Sequence, residues 1–303
     1  RNIAIRYYMN KQEDDILNTL LLTKYTNQRK LSELSGYSLG AVNHSLKELI
    51  KSEYIDSDMI PTEKAIRESR KKRPKKAIIL AAGFGMRMVP INTEMPKGLI
   101  EVHGEPLIER LIKQLNEVGI REIYVVVGFM KERYEYLIDE YGVELVVNKD
   151  YATKNNIHSL KRVRDKLDNA YIIPCDIWCK DNPFRSSELY SWYMVNDSLT
   201  SDSPVRVNRK MELVRVSDDS FGNAMIGICY LTKEDASEVS MRIEELCKDP
   251  HNDGAFWEEA LYGQNRIIIK ARVVKSSDIV EINTYEQLRE LDSESNQLKT
   301  DAI

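Results

Sequence analysis

Residues 76–87 read Lys-Ala-Ile-Ile-Leu-Ala-Ala-Gly-Phe-Gly-Met-Arg and set the architecture of most of the chain. The first part of this stretch, Ala77 to Leu80, is apolar throughout, and the sequence predicts a strand there. A strand without polar alternation is typical of a parallel sheet that helices cover on both faces. Apolar strands then alternate with amphipathic helices up to Pro174, which predicts an α/β fold with a mostly parallel sheet.

A glycine loop follows this strand, with Gly83 and Gly85 separated by one residue. Glycines bend the chain and let backbone N–H groups approach an anion closely. Arg87 and Lys97 add two positive charges around the loop, and together these residues indicate a site for a triphosphate. Asp176 follows the last strand of the alternation, at the sheet edge where open α/β folds bind ligands.

The first 75 residues have a different pattern and a different charge. Their net charge is +5, whereas the remainder of the chain carries −9, which gives −4 for the whole. Short helices with a glycine turn before the third predict a winged helix-turn-helix domain. The predicted elements are helices over 13–23, 27–34 and 38–51, a wing over 54–62 and a closing helix over 62–70.

The third predicted helix would enter a DNA major groove if this domain binds DNA. The residues placed to contact the groove are Ser38, Asn43, His44 and Lys47. Helix-turn-helix domains also serve in dimerisation or regulation, and a net charge of +5 is modest for DNA binding. Thr26 and Ser38 are expected to cap the second and third helices, with Leu34 and Ile50 facing the core.

The linker, the hydropathy and the cysteine content indicate the domain boundaries and the class of protein. A basic linker over 71–76 separates the winged helix-turn-helix domain, 1–70, from the α/β domain, 77–303. No apolar run approaches the roughly 18 residues that a membrane span needs, and the N-terminus lacks the features of a signal peptide. Four cysteines without zinc-site spacing indicate free thiols and a cytoplasmic protein.

The glycine loop is part of a longer pattern that resembles a known family. The segments are Leu80-Ala81-Ala82-Gly83-x-Gly85-x-Arg87, Pro96-Lys97 and Pro106-Leu107-Ile108. They resemble the signature of nucleotidyltransferases that act on sugar-1-phosphates and choline phosphate. Further segments are Tyr151-Ala-x-x-Asn155-Asn156-x-x-Ser159-Leu160 and Phe256-Trp257-Glu258. These are similar to bacterial CTP:phosphocholine cytidylyltransferases, including forms with a fused N-terminal helix-turn-helix, and the resemblance covers 76–291.

This resemblance implies a Rossmann-like, mostly parallel nucleotidyltransferase domain behind a small winged helix-turn-helix domain. It implies Mg²⁺-dependent transfer of CMP from CTP to phosphocholine, with CDP-choline and pyrophosphate as products. The chemistry needs no protein nucleophile, because a phosphomonoester oxygen is largely ionised at neutral pH and can attack the α-phosphorus in line.

The resemblance also assigns roles to individual residues. The catalytic residues would be Arg87, Lys97 and Asp176, with Lys97 bridging the α-phosphate and the incoming phosphate. Nucleotide contacts would come from Leu80, Ala81, Ala82, Gly83, Gly85, Tyr151, Asn156 and Ser159. Acceptor contacts would come from Trp257, Glu258, Tyr193 and Tyr230. Aromatic faces and carboxylates recognise a trimethylammonium group, which cannot donate hydrogen bonds, although Tyr193 and Tyr230 fit the hydrophobic core equally well.

The metal site departs from the family pattern. Asp176 would hold Mg²⁺ against the phosphates. The family usually presents a second aspartate in a Glu-Ile-Asp pattern, where this chain has Glu281-Ile282-Asn283. An amide oxygen can bind Mg²⁺ without bringing charge, so Asn283 binds weakly, Glu281 substitutes, or the site is altered.

Alternative functions are also compatible with the sequence. The acceptor could be phosphoethanolamine or a sugar-1-phosphate. A transcription regulator could instead use the transferase-like domain as a ligand sensor, an interpretation that the basic N-terminal region and Asn283 motivate. A homodimer is compatible with either function.

Overall fold

A computed structural model describes residues 9–24, 27–84, 94–216, 220–261 and 267–291. The chain divides into two compact units. One unit, which we call the head, contains the residues up to Pro74 together with the inserted segment Arg185–Ser191. The other, which we call the sheet unit, contains Lys75–Phe184 and the residues from Trp192 onward.

The described part of the head has four helices and a small wing. The helices are α1 (Lys11–Leu22), α2 (Gln28–Ser35), α3 (Leu39–Lys51) and α4 (Glu63–Lys71). The wing closes through one bridge between Ile55 and Pro61. At the start of α1, Asn10 and Glu13 form a reciprocal capping box, which satisfies backbone N–H groups of the first turn. The predicted winged helix-turn-helix fold is confirmed.

Two side chains that were expected in the core of the head are instead exposed. Leu34 is 42% exposed, and Ile50 is 38% exposed. In α3 the buried stripe is Val42, Leu46 and Leu49. Steps of four and then three follow the helical period of 3.6, whereas a second step of four carries Ile50 off the buried face.

Of the caps predicted for the next two helices, the cap of α2 differs from expectation and the cap of α3 is confirmed. The cap of α2 is Asn27, whose side chain accepts a hydrogen bond from the Lys30 N–H at 3.0 Å. Thr26, the predicted cap, lies outside the described residues. Ser38 caps α3 as expected, because its hydroxyl accepts from the Ala41 N–H at 3.2 Å.

The inserted segment completes the core of the head. Leu189 is only 3% exposed and packs in the same cluster as the buried residues of α1 to α4. The Asn18 side chain donates to the Ser187 carbonyl at 2.9 Å, and the Lys72 ammonium donates to the Leu189 carbonyl at 2.8 Å. Nothing in the local sequence indicated that these residues belong with the N-terminal helices.

Short and long strands alternate with helices in the sheet unit. The strands are β1 (Lys76–Ala81), β2 (Glu101–Val102), β3 (Glu105–Pro106), β4 (Glu122–Val127), β5 (Glu144–Val147), β6 (Ala170–Pro174), β7 (Ile177–Cys179), β8 (Trp192–Thr200), β9 (Val205–Val207), β10 (Leu213–Arg215), β11 (Gly222–Leu231), β12 (Lys270–Val274) and β13 (Ile279–Glu281). The helices are α5 (Leu107–Glu117), α6 (Tyr136–Tyr141), α7 (Asn156–Lys161) and α8 (Lys233–Leu246). A further helical stretch covers 285–291.

Seven strands form the main sheet in the order β12-β8-β11-β6-β1-β4-β5. Strand β1 lies parallel between β6 and β4, and β4 is parallel to β5. Beyond β6 the sheet becomes mixed, because β11 runs antiparallel to both of its neighbours while β12 is parallel to β8. The predicted mostly parallel α/β fold is confirmed, and the carboxyl ends of β1 and β6 lie side by side.

A strand that is buried on both faces was predicted from the sequence, whereas a strand with one exposed half was not. Ala77, Ile78 and Ile79 of β1 are completely buried, as expected for a strand covered on both faces. Strand β8 was not predicted, because its buried first half gives way to an exposed polar second half without an alternating pattern. Within the described part of the chain, none of the helices combines the length and the apolar character that a membrane span requires.

The role of the inserted segment in the head can be tested by mutation. Leu189→Ala should destabilise the head by about 2–5 kcal/mol, because it removes a buried side chain and leaves a cavity. Leu199→Ala is the matched control; this leucine is 50% exposed, and its loss should change stability by less than about 0.5 kcal/mol. Native-state hydrogen exchange of the α1 amides measures unfolding of the head separately from the sheet unit. If both substitutions changed the exchange of the α1 amides equally, Leu189 would not be part of the core of the head.

Candidate active site

A cavity of about 1030 Å³ opens at the carboxyl ends of β1 and β6. Most of the predicted site residues line it. They are Leu80, Ala82, Gly83, Lys97, Tyr151, Asn156, Ser159, Asp176, Tyr193, Trp257 and Glu258. Gly85 and Arg87 lie outside the described residues. The cavity therefore joins predicted nucleotide, catalytic and acceptor residues that are far apart in the sequence.

Three described residues that were predicted for the site, Ala81, Tyr230 and Asn283, do not line this cavity, although Asn283 bonds the cavity-lining Lys97. Ala81 is buried within β1. Tyr230 lies in the core, where its ring is 5.1 Å from that of Tyr171 and its hydroxyl donates to the Asn169 side chain at 3.5 Å. Adjacent residues of a strand point to opposite faces, so Tyr230 faces away from its neighbour Cys229, which packs in the same cluster as the cavity-lining Tyr193. Tyr230 is thus a core residue of the sheet.

The Lys97 ammonium lies at the centre of the catalytic side. It donates to Asp176 Oδ2 at 2.8 Å and to Asn283 Oδ1 at 3.0 Å. Lys97 opens a 3₁₀ turn after the glycine loop, Asp176 follows β6, and Asn283 follows β13. The Ile282 N–H donates to the Asp176 carbonyl at 2.8 Å, which fixes the end of β13 beside the end of β6. One cation therefore joins three separate segments.

The position of Asn283 is fixed from its other side as well. The backbone N–H groups of Asn283 and Thr284 both donate to Gln287 Oε1, at 2.8 and 3.0 Å. A carboxylate and an amide oxygen are hard ligands of the kind that Mg²⁺ prefers, and Glu281 lines the same cavity. The described residues contain no group of three or more His, Cys, Asp or Glu side chains arranged for a metal. These few ligands fit a magnesium ion that takes its remaining ligands from water and phosphate.

Aromatic side chains form the nucleotide side of the cavity. Gly83 lines the cavity, and a Cβ added to it would meet no atom of the described residues within 4 Å. The rings of Phe84 and Phe129 meet edge to face at 4.4 Å. A Cβ at Gly128 would lie 2.7 Å from the Tyr151 side chain, so only glycine allows that side chain to pack here. The sequence did not indicate Phe84, Phe129 or Gly128 as site residues, although Gly128 directly follows the apolar strand β4.

Polar residues at the start of α7 hold the opposite wall in place. Asn156 Oδ1 accepts a hydrogen bond from the Trp257 N–H at 2.8 Å. Asn155 donates from its backbone to the Asp253 carbonyl at 2.7 Å and from its side chain to the Gly254 carbonyl at 2.9 Å. Asn156 was expected to contact the nucleotide, and in the structure its amide oxygen positions Trp257. This start of α7 connects the nucleotide side to the acceptor side.

The predicted acceptor residues meet at this wall. The rings of Tyr193 and Trp257 are 6.2 Å apart, and both side chains are almost completely buried. The Tyr193 hydroxyl donates to Glu258 Oε1 at 3.0 Å. The second oxygen, Oε2, is buried and has no hydrogen-bond partner among the described residues. Burial raises the pKa of Glu258 to about 7, against the opposing effects of its own backbone N–H and of Tyr193.

The charges around the cavity favour a ligand with a positive group. Five carboxylates line it, namely Asp176, Asp202, Glu258, Glu259 and Glu281. Among the described lining residues, only Lys97 and Lys154 carry a positive charge. A buried carboxylate without a partner is costly, and a cation can remove that cost. The wall around Glu258 is therefore suited to a cationic group.

The predicted DNA-contacting residues lie along α3 of the head. His44 and Lys47 are exposed, whereas Asn43 is half-buried. Ser38 is exposed, but its hydroxyl is engaged in capping the helix. DNA contact by these residues stays a prediction.

Comparisons with known proteins agree with this geometry. A family model described as a MobA-like NTP transferase domain matches residues 77–185, and a winged helix-turn-helix DNA-binding model matches 9–56. The chain is 30% identical to a choline-phosphate cytidylyltransferase of Streptococcus pneumoniae over 221 residues, which cover 72% of this chain and 96% of the relative. It is also 30% identical to a 2-aminoethylphosphonate cytidylyltransferase of Lancefieldella rimae over 226 residues, which cover 71% and 91%.

Solved structures place the sheet unit in the same fold. The structure of CTP:phosphocholine cytidylyltransferase from Streptococcus pneumoniae superposes with a TM-score of 0.67 at 29% identity, covering 73% of this chain and 98% of that one. A UDP-glucose pyrophosphorylase, at 18% identity and a TM-score of 0.58, shares the fold. The chain is therefore a nucleotidyltransferase with a winged helix-turn-helix head, and it belongs to the family that includes the choline-phosphate cytidylyltransferases.

Proposed function

We propose that this enzyme transfers CMP from CTP to phosphocholine and releases CDP-choline and pyrophosphate. The observation that carries the choice of acceptor is the buried Glu258 carboxylate beside Trp257 and Tyr193. A trimethylammonium group is both cationic and apolar, so it can lie against aromatic rings while its charge compensates a carboxylate. The cytidylyltransferase names of the two relatives support CTP as the donor.

The catalytic side is suited to phosphoryl chemistry without a protein nucleophile. A phosphate oxygen of the acceptor attacks the α-phosphorus in line, and the bond to pyrophosphate breaks with its electron pair leaving on pyrophosphate. Negative charge grows on the α-phosphoryl oxygens in the transition state. The Lys97 ammonium, held by Asp176 and Asn283, is positioned to stabilise that charge. The proposed grip of Arg87 on the β- and γ-phosphates stays a prediction outside the described residues.

Mg²⁺ is the proposed cofactor, and Asp176 and Asn283 are the residues that would hold it. When bound, it would neutralise phosphate charge and orient the triphosphate. Because Asn283 contributes an uncharged oxygen, Asp176 would supply most of the electrostatic attraction from the protein. Glu281 lines the same cavity and could supply a second carboxylate.

A primary-amine acceptor is the second candidate, and one observation favours it. Glu258 Oε2 has no hydrogen-bond donor among the residues that the structure describes, and an ammonium group can donate to it where a trimethylammonium cannot. Phosphoethanolamine and 2-aminoethylphosphonate both carry such a group. A sugar-1-phosphate would leave the Glu258 carboxylate buried without a cation, so this acceptor is disfavoured. A sensor without turnover is disfavoured because Lys97 and Asp176 are retained in a catalytic arrangement.

Substrate preference can be measured by pyrophosphate release. With CTP and Mg²⁺, kcat/KM for phosphocholine should exceed that for phosphoethanolamine and 2-aminoethylphosphonate by about tenfold or more, because aromatic faces favour the methylated cation. It should exceed kcat/KM for glucose-1-phosphate by about 100-fold or more, because the neutral sugar leaves a buried group unpaired. CTP should be preferred to UTP.

The Lys97→Met variant gives the background rate of pyrophosphate release in this assay. Its kcat should be lower than that of the parent by about 10²–10³-fold. A preference for either primary amine would establish the second candidate. Turnover that does not distinguish these phosphates from glucose-1-phosphate would reject both candidates.

The raised pKa of Glu258, about 7, predicts a pH dependence of acceptor binding. The ionised carboxylate attracts the cation, so KM for phosphocholine should be lowest above pH 7. KM should rise by about tenfold per pH unit as the carboxyl group becomes protonated below pH 7. Steady-state KM values from pH 5.5 to 8.5 would measure this.

Glu258→Gln is the control for this measurement. It should raise KM by about tenfold or more at pH 8, because it removes the charge and keeps the shape. Its profile should show only the titration of the phosphocholine phosphate, which both proteins share. Identical profiles for the variant and the parent would rule out Glu258 as the cation-binding group.

A further inference from the structure

A buried asparagine fixes the hydrogen-bonding role of Ser159 in the cavity. Asn148 follows β5 and is completely buried, and its backbone N–H donates to the Val127 carbonyl at 2.8 Å. Its side-chain oxygen accepts from the Asp150 N–H at 3.0 Å, and its side-chain nitrogen donates to Ser159 Oγ at 3.0 Å. A backbone N–H can only donate, so it identifies the oxygen end of the amide. The NH₂ end of Asn148 therefore faces Ser159.

The Ser159 hydroxyl keeps one proton that it can donate. A hydroxyl has one donor and two acceptor positions, and the NH₂ group of Asn148, which cannot accept, uses one of the acceptor positions. None of the described residues accepts a hydrogen bond from this hydroxyl. Ser159 is only 4% exposed and lines the cavity, so an acceptor atom on a bound ligand would satisfy the remaining proton.

The neighbouring side chains place this donor on the nucleotide side of the cavity. Asn148 bonds the last residue of β4, and Gly128 follows that residue and packs against the Tyr151 side chain. The rings of Phe129 and Tyr151 are 6.5 Å apart, and both residues line the cavity together with Ser159. Aromatic rings stack on the flat face of any base, so a choice between bases depends on polar groups that meet the base edge.

We propose that Asn148, by keeping Ser159 as a donor, selects a cytosine nucleotide over a uracil nucleotide. The N3 atom of cytosine is an acceptor and can take the Ser159 proton, whereas the N3 atom of uracil carries a hydrogen of its own. Uracil would bring a second donor to the same place and leave the hydroxyl proton unpaired. A buried donor without an acceptor is costly, so UTP binds more weakly than CTP.

Asn148 is a positioning residue in this account, because it acts on the base through Ser159. The selection depends on the proposed function only in that CTP is the nucleotide donor, and it does not depend on the phosphate acceptor. It differs from the choice of acceptor at Glu258, which belongs to the opposite wall of the cavity.

Exchanging the NH₂ group of Asn148 for an oxygen tests the selection. In Asn148→Asp the new oxygen accepts the Ser159 proton, so the hydroxyl presents an acceptor to the base instead of a donor. Calorimetric titration with CTP and with UTP, in Mg²⁺ and without a phosphate acceptor, gives the ratio of the two dissociation constants. The parent should bind CTP more tightly by about tenfold or more, and the variant should lower that preference by about tenfold. An unchanged preference in the variant would overturn the role of Asn148.

Asn223→Asp is the matched control for a buried asparagine. The Asn223 side-chain oxygen accepts from the Val207 N–H at 3.0 Å, and its nitrogen donates to the Asn196 carbonyl at 3.1 Å. Asn223 is not among the described residues that line the cavity, so this variant should keep the parent's preference for CTP. An equal loss of preference in both variants would show a general effect of a buried carboxylate and would overturn the selection.

Ser159→Ala decides the question if a buried aspartate prevents folding. This variant removes the donor, so CTP binding should weaken by about tenfold, whereas UTP binding should change by less than about threefold. A parent that binds UTP as tightly as CTP would reject both the proposed nucleotide and the selection. A parent that prefers CTP, with a preference that Ser159→Ala leaves intact, would overturn the selection alone.

Discussion

The ammonium group of Lys97 holds together the three chain segments that make the catalytic side of the site. Asp176 and Asn283 follow different strands, and their oxygens lie 2.8 and 3.0 Å from the same Nζ atom. A largely buried cation is stable only with such partners, and the carboxylate beside it is in turn stabilised by the cation. The backbone bond from Ile282 to Asp176 gives this arrangement a rigid base. Reactive phosphates would therefore meet positive charge that is already oriented, without a cost of reorganisation.

The acceptor side is built by a separate set of interactions. Asn156 holds the backbone of Trp257, and Tyr193 holds one oxygen of Glu258. One set of residues therefore serves the transfer reaction, which is the same for every phosphate acceptor. The other set lies where the remaining part of the acceptor would bind. It is consistent with two relatives of equal identity whose names specify different acceptors, choline phosphate and 2-aminoethylphosphonate. Under the proposed function, acceptor choice would depend on a few side chains around one carboxylate.

The sequence allowed the catalytic half to be predicted better than the rest. The burial of β1 and the position of Asp176 after β6 agree with the apolar strand pattern. The hydrogen bonds from Lys97 to Asp176 and Asn283 were not predicted, because they join segments that are distant in sequence. Tyr230 was misplaced because a strand alternates its faces, and the pattern around it does not show which face meets the cavity. The role of Asn156 could not be read from its motif, since its partner Trp257 is distant in sequence. The inserted segment was missed for the same reason, because the bond between Asp15 and Tyr190 has no local signature.

In the proposed reaction, phosphocholine itself attacks the α-phosphorus of CTP in this cavity. The most direct test uses the Sp diastereomer of CTPαS with phosphocholine and Mg²⁺, followed by ³¹P nuclear magnetic resonance of the products. A single in-line displacement predicts the thio analogue of CDP-choline with inverted configuration at phosphorus, together with pyrophosphate. Retention of configuration would require a covalent intermediate on the protein, and the absence of any thio-CDP-choline would mean that phosphocholine is not the acceptor. Either result would contradict a direct displacement by phosphocholine.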